Sequence, residues 1–438
     1  MKKLFCILSM LICGSAALAQ QASPDAPAQP PQGAYKVPGP PSPVVHSDGS
    51  ITFNLFAPTA STVALDGDYP IGNGYRNGRS VRPMTKDDKG VWTITVEPLK
   101  PEIYSYYFLV DGVPTLDPHN TRVGRDGDHY GNWAVVPGAL SANYVIRDVP
   151  HGHLTQVWYP SPTLKLTRRM FVYTPPGYEK SSQQYPVFYL LHGGGGDEEA
   201  WIDLGRAPEI FDNLIAQGKM KPAIVAIFNG NADQAAANNQ VLAAAPSTEP
   251  LQNTAAPPPA DRLAAYQRYS ASIVRDLVPY VDENYRTKAD ANDRAIAGLS
   301  AGGMMTLYTA MNHLDTFAWV GVFSGGLPTM PGLSIDIPKP ADAARRRGPD
   351  AGRSVDMEKF KASMPTIGPA VNEHLKLLFL TLGDDDGLIE AYADMRKLFD
   401  EKGVKYDWFE IPGYGHEWSF WRINLVDFSQ KIFQAPVK

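Results

Sequence analysis

The chain has 438 residues, 46 of them acidic and 40 basic, and a formal net charge of −6 at pH 7. Apolar residues make up 44% of the composition and charged residues 20%, which excludes a wholly disordered chain, a coiled coil and a strongly basic nucleic-acid binder. With 38 glycines and 39 prolines, a length of this order indicates a loop-rich globular protein of two or three domains.

The first residues have the pattern of a secretory signal peptide over residues 1–19. Two lysines precede an apolar stretch from Leu4 to Leu18, and small residues allow cleavage after Ala19. Both cysteines, Cys6 and Cys13, lie inside this segment, so we expect a mature chain without disulfides or cysteine metal sites. The expected location is the periplasm or the medium. Cleavage removes the apolar segment and leaves an acidic surface, which attracts neither anionic membranes nor nucleic acids.

A proline-rich segment with few apolar side chains follows at residues 20–43 and predicts a linker. After it, polar and apolar residues alternate in short stretches bounded by turn residues, at 51–55, 92–96 and 104–110. Alternation with a period of two predicts half-buried β-strands. We therefore expect a small all-β sandwich over residues 44–138.

From about residue 150 the pattern changes to continuous apolar segments separated by helical ones. The apolar segments are 187–191, 223–227, 295–297, 320–323 and 375–380. Strands buried on both faces that alternate with helices predict a mostly parallel sheet, and hence an α/β domain over residues 150–438. The stretches 230–259 and 328–369 have no clear period, and we expect them to be surface insertions.

A serine stands between a predicted strand and a predicted helix, in the sequence Gly298-Leu299-Ser300-Ala301-Gly302-Gly303. A sharp strand-to-helix turn holds such a serine in strained backbone and requires small residues around it, while the helix N-terminus favours developing negative charge. We therefore predict that Ser300 is a nucleophile. The alternative is a glycine-rich turn in a non-catalytic α/β domain.

Four glycines follow His192 at the end of a buried strand. Without side chains, their backbone N–H groups can approach a substrate carbonyl. We predict an oxyanion hole made by the N–H groups of Gly193 and Gly194 and by that of Ala301, the residue after the serine. His192 itself is expected to hold this loop in place. The alternative interpretation is a flexible linker.

Two loops near the C-terminus also follow predicted strands: Gly383-Asp384-Asp385-Asp386 and Gly413-Tyr414-Gly415-His416. The carboxyl ends of parallel strands meet at one edge, where α/β sheets build their active sites. The order serine, acid, histidine is that of an α/β-hydrolase triad, in which His416 accepts the proton of Ser300 and a carboxylate orients the imidazole. The residues alone leave open which aspartate is the acid.

Together with Tyr173-Thr174-Pro175-Pro176-Gly177-Tyr178 and Gly415-His416-Glu417-Trp418, these motifs resemble carbohydrate esterase family 1. That family contains feruloyl and acetylxylan esterases and is related to enterochelin esterases; the resemblance runs from about residue 168 to 433. It implies an α/β-hydrolase fold and hydrolysis through an acyl-enzyme without a cofactor or metal. It also implies Asp386 as the acid, the fourth residue of a Gly-x-x-Asp turn. Relatives often have a larger residue at the position of Ala301, which bears on specificity.

The first domain is similar to the immunoglobulin-like early-set sandwiches of carbohydrate-binding module family 48. The resemblance rests on Phe56-Ala57-Pro58, Gly90-Val91-Trp92 and Asp111-Gly112-Val113. Such modules accompany these esterases in bacterial plant-cell-wall enzymes, and both sugar binding and a packing role remain open. We expect Trp92 in the core and Trp133 as the candidate for an exposed stacking platform.

The combined interpretation is a secreted or periplasmic serine esterase that releases feruloyl groups from plant cell-wall polysaccharide such as arabinoxylan. Its expected partners are feruloylated or acetylated polysaccharides or oligosaccharides, and the sequence leaves the oligomeric state open. The alternatives are an acetylxylan esterase, a periplasmic siderophore trilactone esterase, and a catalytically silent carbohydrate-binding protein. Trp201, Trp418 and Trp421 are candidates either for lining an acyl pocket or for the core.

Overall fold

The computed structural model describes residues 36–69, 80–127, 129–237, 259–327 and 355–434. The predicted signal peptide, most of the predicted linker and much of the two predicted insertions lie outside the described residues. The chain divides into two units, Met1–Pro38 and Gly39–Lys438, and the described helices and strands all belong to the second. Within the described ranges, every helix is too short or too polar to cross a membrane.

The N-terminal part folds into two antiparallel sheets. The first sheet contains β1 (Val44–Val45), β2 (Ile51–Phe56), β5 (Thr85–Lys86) and β6 (Val91–Val96), in the order β1-β2-β6-β5. The second contains β3 (Val63–Gly67), β4 (Ser80–Pro83), β7 (Ile103–Val110), β8 (Val113–Thr115), β9 (Val123–Asp126) and β10 (His129–Val135). Its order is β4-β3-β7-β10-β9, and β8 pairs with β7.

Alternation along these strands builds the core of the sandwich. Phe53 of the first sheet packs edge-on against Tyr106 of the second, with ring centroids 4.6 Å apart. Trp92 lies in the same buried cluster, as the sequence predicts. Asp111 and Gly112 turn the chain between β7 and β8 with positive φ angles of 47° and 83°, the conformation that tight hairpins favour. The predicted all-β sandwich is confirmed.

The C-terminal part is built on an eight-stranded sheet. Its strands are β11 (His153–Ser161), β12 (Leu166–Thr174), β13 (Val187–Leu191), β14 (Ile224–Phe228), β15 (Arg294–Leu299), β16 (Trp319–Phe323), β17 (Leu377–Gly383) and β18 (Asp407–Ile411). The order is β11-β12-β14-β13-β15-β16-β17-β18. The first two strands are antiparallel to their neighbours and the remaining six are parallel, so the predicted mostly parallel sheet is confirmed.

Helices cover both faces of this sheet. They are α1 (Ala200–Asp203), α2 (Ala207–Ala216), α3 (Pro259–Ser272), α4 (Val278–Asn284), α5 (Ser300–Asn312), α6 (Met357–Ser363), α7 (Val371–His374), α8 (Ile389–Glu401) and α9 (Trp418–Lys431). A π-helical segment, Ile273–Leu277, joins α3 to α4. Alternate residues of β15 enter different cores, Ile296 on one face and Ala295 and Ala297 on the other. The fold is thus an α/β-hydrolase preceded by an all-β sandwich.

The predicted site residues all lie just after strands of the parallel part of the sheet. The glycine loop follows β13, Ser300 follows β15, Asp386 follows β17 and His416 lies after β18. All four strands run in the same direction, so these loops leave the sheet at the same edge.

Candidate active site

Ser300 occupies a strained turn between β15 and α5. Its φ angle is +51°, in the left-handed region that residues with a side chain rarely adopt. A Cβ at Gly298 would lie 2.6 Å from the carbonyl atoms of Gly302, and one at Gly302 would overlap the backbone oxygen of His192. The turn therefore requires glycine on both sides of the serine, as the sequence predicts.

A chain of two hydrogen bonds joins Ser300, His416 and Asp386. The serine hydroxyl donates to Nε2 of His416 at 2.8 Å, and Nδ1–H of His416 donates to Oδ2 of Asp386 at 2.9 Å. Ser300 and Asp386 are buried, while the side chain of His416 is 30% exposed. Because a carboxylate only accepts, this arrangement leaves Nε2 with a lone pair directed at the serine proton.

The three consecutive aspartates have different surroundings. Asp386 is buried, and its second oxygen accepts from the N–H of Leu388 at 3.0 Å. Asp384 accepts from the N–H of Gly413 at 2.7 Å, while Asp385 is exposed. The geometry thus brings Asp386 to the histidine and leaves its two neighbours outside the hydrogen-bond chain.

The glycine loop lies directly against the serine turn. A Cβ at Gly193 would lie 3.2 Å from the Cβ of Ser300 and 2.5 Å from Cδ1 of Leu299. Ala301 is the second residue of α5, and N–H groups in the first turn of a helix have no partner within that helix. The structure therefore places Gly193 against the serine turn that Ala301 continues. Gly194, the third predicted donor, follows Gly193 in the same loop.

His192 fixes the start of this loop. Its Nδ1–H donates to the Gly193 carbonyl at 2.6 Å, and the N–H of Gly230 donates to its Nε2 at 2.6 Å. Burial lowers the pKa of His192, which keeps the ring neutral and able to accept. Because C=O and N–H point in opposite directions across a trans peptide, holding the Gly193 carbonyl also orients the N–H of Gly194.

A row of tryptophans supports the histidine. Trp421 meets the His416 ring edge-on at 5.0 Å between centroids, Trp418 packs on Trp421 at 5.3 Å, and Trp201 packs on Trp418 at 5.3 Å. Trp201 is fully buried and donates to the Leu191 carbonyl at 2.7 Å. Trp201 is thus a core residue, and Trp421 packs directly against the His416 imidazole.

The sandwich also reaches this site, through a contact that the sequence motifs do not predict. The indole N–H of Trp418 donates to Oδ2 of Asp126 at 2.9 Å, and Asp126 belongs to β9 of the sandwich. Burial raises the pKa of Asp126. In the sequence, Asp126-Gly127 has the composition of a turn, and no local pattern indicates that its carboxylate lies beside a catalytic loop.

The prediction of an exposed platform at Trp133 is wrong. The ring is half-buried and packs against the core that contains Trp201. The guanidinium groups of Arg122 and Arg206 lie 5.5 and 5.1 Å from its centroid. Arg206 comes from the α/β part, so this tryptophan contributes to the interface between the two domains.

In the part of the chain that the structure describes, there is no group of three or more histidine, cysteine or acidic side chains that could hold a metal ion. The hydrogen-bonded serine, histidine and aspartate have the arrangement used in nucleophilic acyl transfer.

Two family models match the chain. Residues 161–432 match the family described as "Putative esterase", and residues 42–123 match carbohydrate-binding module 48, described as the isoamylase N-terminal domain. The two matches fall on the α/β part and on the sandwich, respectively.

Two curated relatives match parts of the chain. The chain is 33% identical over 295 residues to an endo-1,4-beta-xylanase/feruloyl esterase of Xylanibacter ruminicola, covering 66% of this chain and 37% of that protein. It is 26% identical over 170 residues to endo-1,4-beta-xylanase Y of Acetivibrio thermocellus, covering 36% of this chain and 13% of that protein. The chain thus spans well under half of these relatives.

A crystal structure of the enterobactin esterase of Shigella flexneri, determined in the presence of 2,3-di-hydroxy-N-benzoyl-serine, superimposes with a TM-score of 0.59. The match covers 88% of this chain and 94% of that protein, with 17% sequence identity. At this identity the likeness shows a shared fold that includes both the sandwich and the α/β-hydrolase part.

Proposed function

The chain belongs to the esterase family, and from this membership we propose that it is a serine carboxylic-ester hydrolase. We further propose that it releases feruloyl (hydroxycinnamoyl) groups from plant cell-wall polysaccharide such as arabinoxylan. The observation that carries the proposal is the hydrogen-bonded chain from Ser300 through His416 to Asp386 at a strained strand-to-helix turn. This combination is the arrangement that α/β-hydrolases use for nucleophilic acyl transfer.

The proposed reaction has two halves. Ser300 attacks the ester carbonyl while His416 takes its proton, and the imidazolium then protonates the departing sugar oxygen, which leaves as an alcohol and an acyl-enzyme remains. In the second half, His416 takes a proton from water, which attacks the acyl-enzyme. The imidazolium then returns this proton to Oγ of Ser300 as the acid is released. Asp386 holds the tautomer and stabilises the imidazolium. The N–H groups of Ala301, Gly193 and Gly194 stabilise the oxyanion in both halves.

The proposed substrate class rests on the relatives. The Xylanibacter relative is named an endo-1,4-beta-xylanase/feruloyl esterase, and the sandwich matches a carbohydrate-binding module. A polymeric substrate outside the cell also agrees with the export signal predicted over residues 1–19. We accordingly propose a secreted or periplasmic enzyme with domain boundaries at residues 44–138 and 150–438. Acetylated xylan and a siderophore trilactone are the alternative substrates.

The test compares the purified protein with Ser300→Ala on four esters: methyl ferulate, p-nitrophenyl acetate, acetylated xylan and a catechol trilactone. We expect the highest kcat/KM on methyl ferulate and a loss of at least about 10³-fold in the variant. Ser363→Ala is the matched control, because this serine is also buried but donates to the Phe360 carbonyl within α6.

The outcomes separate the two levels of the proposal. A preference for acetylated xylan or for the trilactone, lost in Ser300→Ala, would keep the mechanism and replace the substrate. An absence of turnover on all four esters would overturn the esterase proposal and favour a binding protein.

A further inference from the structure

One edge of the sandwich lies in direct backbone contact with the glycine loop. We call residues 193–199 the oxyanion loop. A Cβ at Gly127, just after β9, would overlap the carbonyl oxygen of Gly195. A Cβ at Gly196 would lie 2.7 Å from Oδ1 of Asp126. Gly127 tolerates no side chain, because the backbone of Gly195 fills the space that a Cβ would need, while a Cβ at Gly196 would displace the Asp126 carboxylate.

Arg125 of β9 stabilises this contact through hydrogen bonds and ion pairs with the oxyanion loop. Its Nη1 and Nη2 bind the two carboxylate oxygens of Asp197 at 2.5 and 2.9 Å, and Nη2 also binds Glu199 at 2.6 Å. The same guanidinium donates to the carbonyl of Gly127. The side chains of Arg125 and Asp197 are each only 3% exposed. A bidentate pair with this degree of burial fixes both distance and orientation.

A second buried arginine, which belongs to the large sheet, binds the same loop. Arg169 of β12 donates from Nε to Glu198 and from Nη2 to Glu199, both at 2.6 Å. Burial alone would raise the pKa of Glu199, but the hydrogen bonds from Arg125 and Arg169 lower it. Glu199 therefore stays charged and bridges the sandwich to the large sheet. The acidic end of the oxyanion loop is held between two guanidinium groups.

These contacts bear on catalysis because the other end of the same loop carries the predicted oxyanion donors beside Ser300. A hydrogen-bond donor must lie about 2.7 to 3.1 Å from the developing oxyanion, and misplacement by about 1 Å can cost about 100-fold in rate. Resting on the function proposed above, we propose that Arg125 is a positioning residue for the oxyanion loop. On this proposal, the sandwich contributes a residue that positions part of the hydrolase active site.

The first test replaces Arg125 and measures hydrolysis of p-nitrophenyl acetate, a small ester that needs no polysaccharide binding. We expect Arg125→Ala to lower kcat by about 10- to 100-fold with little change in KM. Arg125→Lys should recover part of this loss, because an ammonium group can bind one carboxylate but cannot bridge Asp197 and Glu199 in the same geometry. Arg82→Ala is the matched control, since Arg82 pairs with the exposed Glu97 elsewhere in the sandwich.

The second measurement separates positioning from loss of folded protein. Active sites are counted by titration with an organophosphonate, and rates are expressed per active site. A boronic acid that forms a tetrahedral adduct on serine should bind Arg125→Ala more weakly, by the same factor by which kcat/KM falls. A purely structural role would reduce the number of active sites and the melting temperature, while each remaining site would keep its boronate affinity.

The proposal is overturned if Arg125→Ala keeps kcat per active site within twofold of the parent. If that variant does not fold, Arg125→Gln, which removes the charge with a smaller loss of side-chain volume, is judged by the same criterion. Should the parent hydrolyse no ester, the proposed function fails. The positioning role is then judged by whether Arg125→Ala slows phosphonate labelling of Ser300; an unchanged labelling rate overturns it.

Discussion

Asp384, Asp385 and Asp386 have the same chemistry and different surroundings. Asp386 is buried and accepts from His416, Asp384 accepts from the N–H of Gly413, and Asp385 is exposed. A carboxylate can orient an imidazole only from hydrogen-bond distance. The structure therefore predicts three different results for one and the same substitution at adjacent positions.

Changing Asp386 to asparagine should lower kcat by about 10³- to 10⁴-fold, because the amide stabilises the wrong tautomer of His416 and cannot stabilise the imidazolium. Asp384→Asn should cost less than about 10-fold, since it only weakens the turn that carries the histidine. Asp385→Asn should leave kcat unchanged. All three are measured as kcat/KM on the best ester. A loss in Asp385→Asn as large as that in Asp386→Asn would contradict this assignment.

At the residue scale, short sequence motifs predict those features of the site that depend only on neighbouring residues. The strained turn at Ser300 and the glycines around it follow from a short motif between a strand and a helix, so sequence alone was sufficient. The exposure of Trp133 is predicted wrongly, and the position of Asp126 beside the site is not predicted at all, because both depend on contacts that are distant in sequence. Their surroundings are formed by Arg206 and Trp418, which lie far away along the chain, and no local period records such contacts.

At the element scale, α9 begins beside the site, and Glu417 is the N-cap residue that precedes its first residue, Trp418. Burial is the main cause that raises the pKa of Glu417 to about 8; the hydrogen bond from Ser419 lowers it and the nearby Asp68 raises it. The N–H of Gly415 and the Arg422 guanidinium also lower it. A carboxyl group with a raised pKa binds a proton more tightly in the folded chain than in the unfolded one.

This difference gives a pH dependence of stability with a definite sign. The unfolded pKa is near 4.5 and the folded pKa near 8, so between these values the folded state holds one more proton. The contribution of Glu417 to the free energy of unfolding therefore falls as pH rises through this window. Glu417→Gln should match the parent near pH 5 and exceed its free energy of unfolding by about 1 to 3 kcal/mol near pH 9.

Denaturant unfolding at a series of pH values measures this difference. Glu410→Gln serves as the control, because Glu410 lies exposed on β18, and its difference from the parent should not change over the same range. Parallel pH profiles for Glu417→Gln and the parent would show that Glu417 titrates normally in the folded protein.

At the scale of the whole molecule, the sandwich has a core of its own, and a second buried cluster contains residues of both the sandwich and the α/β part. Ile103 and Tyr144 belong to the same buried cluster as Trp201 and Phe211. Both domains are predicted from the sequence, because each has its own hydrophobic period. Periodicity shows which face of a strand or helix is buried, but not which other element that face packs against. That the two domains are packed through buried side chains could be learned only from the structure.

A buried ion pair crosses this interface and gives the last prediction. Arg422 of α9 donates to Glu102 at 3.1 Å and to the carbonyl oxygens of Ile103 and Leu204 at 2.9 and 2.7 Å. The second oxygen of Glu102 is buried and has no hydrogen-bond partner among the described residues. Burial outweighs the effect of Arg422 and raises the pKa of Glu102, so its neutral form is favoured relative to an exposed carboxyl group.

Arg422→Leu should lower the free energy of unfolding by about 3 to 5 kcal/mol, because it leaves Glu102 buried without its cation. Glu102→Gln should cost less than about 1 kcal/mol, since an uncharged amide suits the same site. The double variant should recover part of the loss of Arg422→Leu, and denaturant unfolding of all four proteins measures the coupling. Simple additivity of the two single changes would mean that Arg422 acts through its contacts with Ile103 and Leu204 alone, and the cross-domain ion pair would then contribute nothing to stability.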